Sequence, residues 1–463
     1  MCKITAYIVH HSQILIALWN GVETGNPGGT SDVVNFKLKG VPERLIPQQS
    51  ILYPADIGPV HHIVTPRRGQ PEPQNGALEL VIKPDQQAKV KIDRILEQIN
   101  EFNRVSKVNH SKIKEQIDIS KKQLIPDEDA SKLSSAGQTI RECYALADAL
   151  ALHYQKRRQS TLNSLFFLAG MAIIAFEFYA HLFREIFWLL IFYPAFLAIA
   201  YFLYRLVKNK KRDFQNKFLD YRALAEGMRV QLFWRIAGLK NEVADHYLYK
   251  QRNELRWIRK AVRNWNLLAG DDKQGDNNKY STSGQRFHNY ITMVLNYWVN
   301  DQYKFFNSRV GKNHLKIKKH KLIIETLFIA GVSIASFVVI IDIVNCLFNV
   351  ELIKGITYNA SHSQEDGFFR HLLIVCMGLL PAAAATLEGY DEKMAYSEQT
   401  KQYERMKDVF EGAKREFEKS LAEQNCSDAS EIAFELGTEA LSENGDWVLM
   451  YRERPLTAPI PKK

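Results

Sequence analysis

Two groups of residues in this sequence could do chemistry. The first is the turn Pro27-Gly28-Gly29-Thr30, which follows the apolar run ILIAL at Ile14 to Leu18 and leads into the periodic stretch DVV at Asp32 to Val34. A strand that enters a glycine-rich turn and continues as a helix presents backbone N–H groups to an anion. Gly28 and Gly29 leave room for a phosphate to approach the backbone, and Thr30 can cap the helix and offer a hydroxyl. Such a turn also serves as a plain connector, so both readings stand on the residues alone. The second group consists of polar residues inside long apolar runs: Glu177, Glu325, Asp342 and Asn345. Asp342 and Asn345 are three apart and share one helix face. Charge in such a run is costly and faces a bundle interior, a water-filled path or the outer interface, so these four are the pore-lining candidates.

Other chemistry is not expected. HExxH, GxSxG and GxxxxGK[ST] do not occur, and no catalytic residue is assigned. Cys2, Cys143, Cys346, Cys376 and Cys426 are scattered without a CxxC pair. His61 and His62 are adjacent and cannot easily address one metal, so no metal site is expected.

The elements that must position these residues are dominated by four apolar runs, 162–180, 186–207, 322–348 and 369–387. At about 1.5 Å per residue each is long enough to cross a hydrocarbon core of roughly 30 Å. The short break after 180 forces a tight hairpin, and the second pair forms another across a longer loop. Lys156, Arg157 and Arg158 precede the first hairpin, Lys208, Lys210, Lys211 and Arg212 follow it, and KIKKHK at 316–321 precedes the second. Basic flanks stay on the cytoplasmic side, which places both termini there. The fourth flank, with Glu388, Asp391 and Glu392, is acidic and departs from the pattern. The mean hydropathy of −0.25 over 463 residues makes the apolar part a minority, and the net charge of +10 is largely explained by the flanks. That balance favours anionic lipid over nucleic acid, which would need a basic face with interleaved aromatics.

The expected fold is mainly α: a four-span helical membrane protein of two hairpins with long cytoplasmic helices and a partial Rossmann-like α/β segment at the N-terminus. Residues 1–50 form that segment, with strand, turn and strand over 4–18 and another strand at 41–45. Residues 51–85 read as a Pro/Gly-rich linker. Residues 86–240 hold a helix to about Lys122, a second helix from about Ser134, and the first hairpin. Residues 241–425 repeat approach helix, hairpin and exit helix, with Tyr403 about where Tyr221 stands, which reads as an internal duplication. Residues 426–463 form a short helix and a proline-rich tail, with Trp447 and Val448 as its anchors. Gly331 and Ala335, with Ala382 to Ala385, offer small surfaces for close helix packing, and Pro381 can kink the fourth run.

The stretch LIALWNG, followed by the GGT turn and DVV, resembles the C-terminal part of a SLOG domain, the Rossmannoid family that includes LOG-type nucleotide hydrolases and nucleotide sensors. The resemblance covers about the first 50 residues and implies a ligand site at Trp19, Asn20, Gly21, Gly28, Gly29, Thr30 and Asp32 for a nucleotide-derived ligand. The hydrolases carry GGxGTxxE; here Val33 stands at the acid's place, Asp32 falls one residue early, and Asn20 stands where an aspartate is usual. These departures favour sensing over glycosidic hydrolysis. The family's opening strand is absent, which implies a late start at Met1 or a truncated gene. ADALALHYQ before the first hairpin and DYRALAEGMRVQLFW after it resemble the SLATT family over roughly 141–238. EALSENGDW with RERP is similar to a recurrent ending of that family. Together they imply a pore-forming effector of the bacterial inner membrane, homo-oligomeric, answering a nucleotide second messenger in antiviral defence. A membrane-tethered nucleotide hydrolase and a non-catalytic membrane anchor or scaffold are the alternatives.

Overall fold

The computed structural model describes residues 2–12, 14–23, 27–42, 45, 58–69, 73, 76–83, 86–208, 213–247, 255–270, 285–348, 368–423 and 426–454. It is mainly helical, with one small mixed sheet near the N-terminus. The chain forms two compact units, Met1–Glu115 with Asn241–Lys273, and Gln116–Lys240 with Gln274–Lys463.

In the first unit α1 spans Cys2–His11, β1 Leu15–Trp19, α2 Thr30–Lys39, β2 Val60–Val64 and β3 Leu80–Lys83. The sheet order is β1-β2-β3. β1 and β2 run parallel with Leu15 opposite Val60, and β3 returns antiparallel with Lys83 opposite Val60. β1, α2 and β2 thus make a β-α-β crossover.

Three expectations are corrected here. The strand expected at the start of 4–18 is helix α1: Ala6 and Val9, three apart, bury one helical face against Val41. A short apolar run with β-branched residues does not distinguish the two periods. Val41 and Pro42 carry no strand; among the described residues the strand after α2 is β2. The stretch 51–85, read as a linker, supplies two of the three strands. In β2, Val60, His62 and Val64 alternate inward, a pattern obscured by the histidines. His61 and His62 therefore point to opposite faces.

Ala17, Trp19, Val34 and Val60 form the core of this layer, with Leu15 and Leu38 packed on it. Ile16 and Leu18, on the other face of β1, are 66% and 65% exposed. A parallel pair normally has both faces covered. The unit also holds α3, Gln86–Leu124, as far as Glu115, together with α8 (Val243–His246) and α9 (Arg256–Ala269). Phe102 packs its ring on Trp257 and Trp265, and buried Arg263 pairs with Asp245.

The second unit begins with the end of α3 and contains α4 (Asp127–Ala130), α5 (Ser135–His181), α6 (Trp188–Lys208) and α7 (Phe214–Ile236). It continues with α10 (Gln285–Val294), a π-turn (Leu295–Val299), α11 (Asn300–Phe348), α12 (Phe368–Met394), α13 (Tyr396–Ala422) and α14 (Cys426–Arg452). Ser134 opens α5 as expected, its hydroxyl accepting from the Gly137 amide at 3.1 Å. Among the described residues four helices are long and apolar enough to cross a membrane: α5, α6, α11 and α12. Their apolar stretches bury few side chains, and Phe167 and Ile329 stand 66% and 62% exposed.

The ends of α5, α11 and α12 beyond the apolar stretches pack with α7, α13 and α14 into a polar-flanked body. α7 is buried almost all round, including Ala223, Leu224, Ala225 and Gly227, and packs on α5, whose Ala147, Ala149 and Ala151 are buried. Small side chains on both helices permit close approach. Tyr221 of α7 packs on Tyr154 of α5, and Tyr403 of α13 on Phe305 and Phe306 of α11, so each exit helix folds back on its approach helix. Trp447 of α14 packs on Phe218, and Val448 is fully buried, so both anchor within the body.

Candidate functional site

The glycine turn lies between β1 and α2, where a β-α-β unit presents amides to an anion. Gly28 has φ +81°, a conformation open to glycine and strained for other residues. Gly29 is the helix N-cap, and Thr30, expected as the cap, makes no capping bond and stands inside the helix. The turn supplies its own anion: the Gly28 amide donates to Asp32 Oδ2 at 2.8 Å. A carboxylate in the first turn satisfies an amide and the helix dipole, and it opposes a second negative charge there. Trp19 is buried, its indole N–H donating to Val22 O at 3.0 Å. Asn20 Oδ1 accepts from the Val22 amide at 3.3 Å, and His62 Nε2 lies 2.7 Å from Trp19 O. Gly21 takes φ +84° beside the His62 ring. The structure thus gathers Trp19, Asn20 and Gly21 into a loop closed on itself.

The three charged candidates inside the apolar runs, Glu177, Glu325 and Asp342, each have a partner. Asp342, read from sequence as a lone carboxylate, pairs with Arg370 of α12, Oδ1 at 2.7 Å and Oδ2 at 2.9 Å. Such a two-pronged guanidinium–carboxylate contact fixes orientation as well as charge. Glu325 is exposed and lies 3.8 Å from Lys321, one turn earlier. Asn345 lies on α11, but its side chain is outside the described residues. Glu177 is the most enclosed of the other three, with its side chain 18% exposed and Oε2 3.6 Å from His181 Nε2. It fills a notch in α12 at Gly378, where an added Cβ would stand 2.8 Å from Glu177 Oε1. The same α5–α12 seam carries Phe166 packed edge-on against Tyr390. Gly331 of α11 does comparable service against the Pro381 ring, where a Cβ would meet Cδ at 2.7 Å.

Sequence reasoning missed the polar interior of the helical body. Asp148 accepts from Ser120 and Arg222, each at 2.8 Å. Buried Arg229 donates to Glu226 at 2.8 Å, to Tyr144 Oη at 2.8 Å and to Gln302 Oε1 at 3.1 Å. Of these residues Arg222, Glu226 and Gln302 border a cavity of about 530 Å³ lined by α5, α7, α11, α12, α13 and α14. Glu443 of α14 faces it. Burial pushes its carboxyl up to about 8, with the Glu226 charge adding to the rise and Arg222 opposing it. A cluster of arginines and carboxylates at helical spacing on α7 was the available signal, and it was read only as part of an exit helix. Among the described residues no group of three or more histidine, cysteine or acidic side chains could hold a metal. No family model, curated protein or solved structure matches the chain.

Proposed function

We propose that this chain is a multi-pass protein of the bacterial inner membrane, in which α5 with α6 and α11 with α12 cross as two hairpins. Both termini and the helical body then lie in the cytoplasm, and copies assemble into a pore-forming effector of a defence signalling system. Support for the membrane reading comes from the four apolar helices and the basic residues at their ends. Four spans per chain are too few to enclose a wide pore, so the conducting form is a homo-oligomer.

The observation that carries conduction is Glu177 in its notch. It lies about 22 Å of helix rise beyond Leu162, where the first apolar run begins, and meets Gly378 midway along the fourth run, inside a core roughly 30 Å thick. A carboxylate at that depth marks an ion or proton path more readily than a packing site. Asp342 is about 31 Å of rise beyond Lys321 and, with Arg370, sits at the outer face. It clasps the second hairpin and does not line the path.

Control by a SLOG-like segment rests on the WNG and GGT motifs and on the β1-α2-β2 crossover that carries them. A nucleotide ligand at that turn must displace Asp32 from the Gly28 amide. The Asp342–Arg370 pair, satisfied within one chain, favours a second reading, a non-conducting membrane scaffold. A voltage-sensitive dye in cells expressing the protein separates the two. Expression collapses the membrane potential, and Glu177→Gln, inserted at equal level, does so several-fold less. An unchanged potential with properly inserted wild-type protein leaves the scaffold reading.

A further inference from the structure

We infer that the cavity in the helical body is a binding site for a phosphate-bearing anion, seized by Arg158. Five arginines are buried among the described residues, and four of them are partnered. Arg141 pairs with Asp127, Arg229 with Glu226, Arg263 with Asp245, and Arg259 donates to Ala244 O. Arg158 differs. It is 5% exposed, its Nε has no hydrogen-bond partner, and it forms no ion pair among the described residues. Its guanidinium instead lies over the Tyr451 ring, Cζ 5.1 Å from the centroid, a contact that holds it without neutralising it. A cation taken out of water and left without a counter-charge is a costly arrangement, and an anionic ligand resolves it.

A second orphan points into the same space. Asn313 of α11 is 6% exposed, and its Nδ2 has no partner. Arg158 and Asn313 both line the cavity, as does Lys316, which sits 5.2 Å above the Tyr396 ring. A planar guanidinium fork, a neutral amide donor and an ammonium are the donor set for a phosphate. Glu443, on the same wall, stays protonated through neutral pH and so does not compete as an anion. At about 530 Å³ the space admits a small phosphorylated metabolite or a lipid headgroup.

Arg158 stands four residues before Leu162 and Lys316 six before Leu322, the first residues of two apolar runs. Under the proposed membrane reading this is the depth of inner-leaflet headgroups, and the lipid source alone rests on that reading.

The test uses the full chain, purified in neutral detergent without phosphate and placed in nanodiscs of phosphatidylcholine. Thermal unfolding is followed on adding inorganic pyrophosphate, and separately in discs doped with phosphatidylglycerol. A stabilisation by pyrophosphate identifies a soluble ligand; one by phosphatidylglycerol alone identifies a headgroup. In either case Arg158→Gln weakens the response about 10- to 100-fold, and Arg158→Lys retains part of it. Asn313→Leu is the second variant, should Arg158→Gln fail to fold, and weakens binding likewise. Wild-type protein that responds to neither anion, or that responds as the variants do, overturns the proposal. The readout does not depend on conduction, so its failure is distinct from failure of the pore.

Discussion

Replacing Glu443 by glutamine tests the electrostatics of the helical body. The carboxyl is raised from 4.5 to about 8 by burial, by Glu226 and by Asp446, with Arg222 and Arg405 acting the other way. The folded protein therefore holds this proton between pH 4.5 and 8, where the unfolded chain has lost it. Since the folded pKa is the higher, stability is full below pH 4.5 and declines as pH rises through 8. At a little over 1 kcal/mol per pH unit, the wild type forfeits about 1 kcal/mol by pH 5.5, about 3 by pH 7 and about 5 above pH 8. Glutamine copies the protonated shape at every pH and forfeits none of this. Unfolding of the detergent-solubilised full chain is followed by tryptophan fluorescence between pH 5.5 and 9. The advantage of Glu443→Gln widens with pH and levels above 8. Parallel curves for the two proteins refute the reasoning.

Two further substitutions probe packing. Gly437→Ala places a Cβ against the Trp234 indole, with Cε2 at 2.7 Å and Val230 Cγ1 at 2.8 Å, and lowers stability by about 1–3 kcal/mol in a melt. Trp234→Phe in the same chain relieves part of that loss. Reversing one charge of the outer clasp, Asp342→Arg or Arg370→Asp, reduces the yield of folded protein in detergent, and the double reversal restores it.

The four apolar helices were legible because roughly twenty consecutive apolar residues have few other uses, and the helical body because its apolar positions recur at the α period. The N-terminal layer was legible only in part. ITAYIV suits helix and strand equally, and VHHIV carries polar histidines at positions where His62 is in fact buried and bonded to Trp19 O. The partner of Asp342 escaped notice because Arg370 lies across the long loop, on a different helix. The orphaned Arg158 escaped for the opposite reason. In sequence it is one of three consecutive basic residues at the head of a span, and only folding takes it out of water while Arg157 and Lys156 stay exposed.

The two-hairpin arrangement underlies the rest, and thiol accessibility tests it most directly. With native cysteines replaced, single cysteines are placed at Lys318, before the apolar run of α11, and at Arg184, between α5 and α6. In intact cells an impermeant maleimide labels the cysteine at 184 and leaves that at 318 unlabelled until the membrane is opened. Labelling at 318 with protection at 184, or equal labelling of both before opening, contradicts the arrangement.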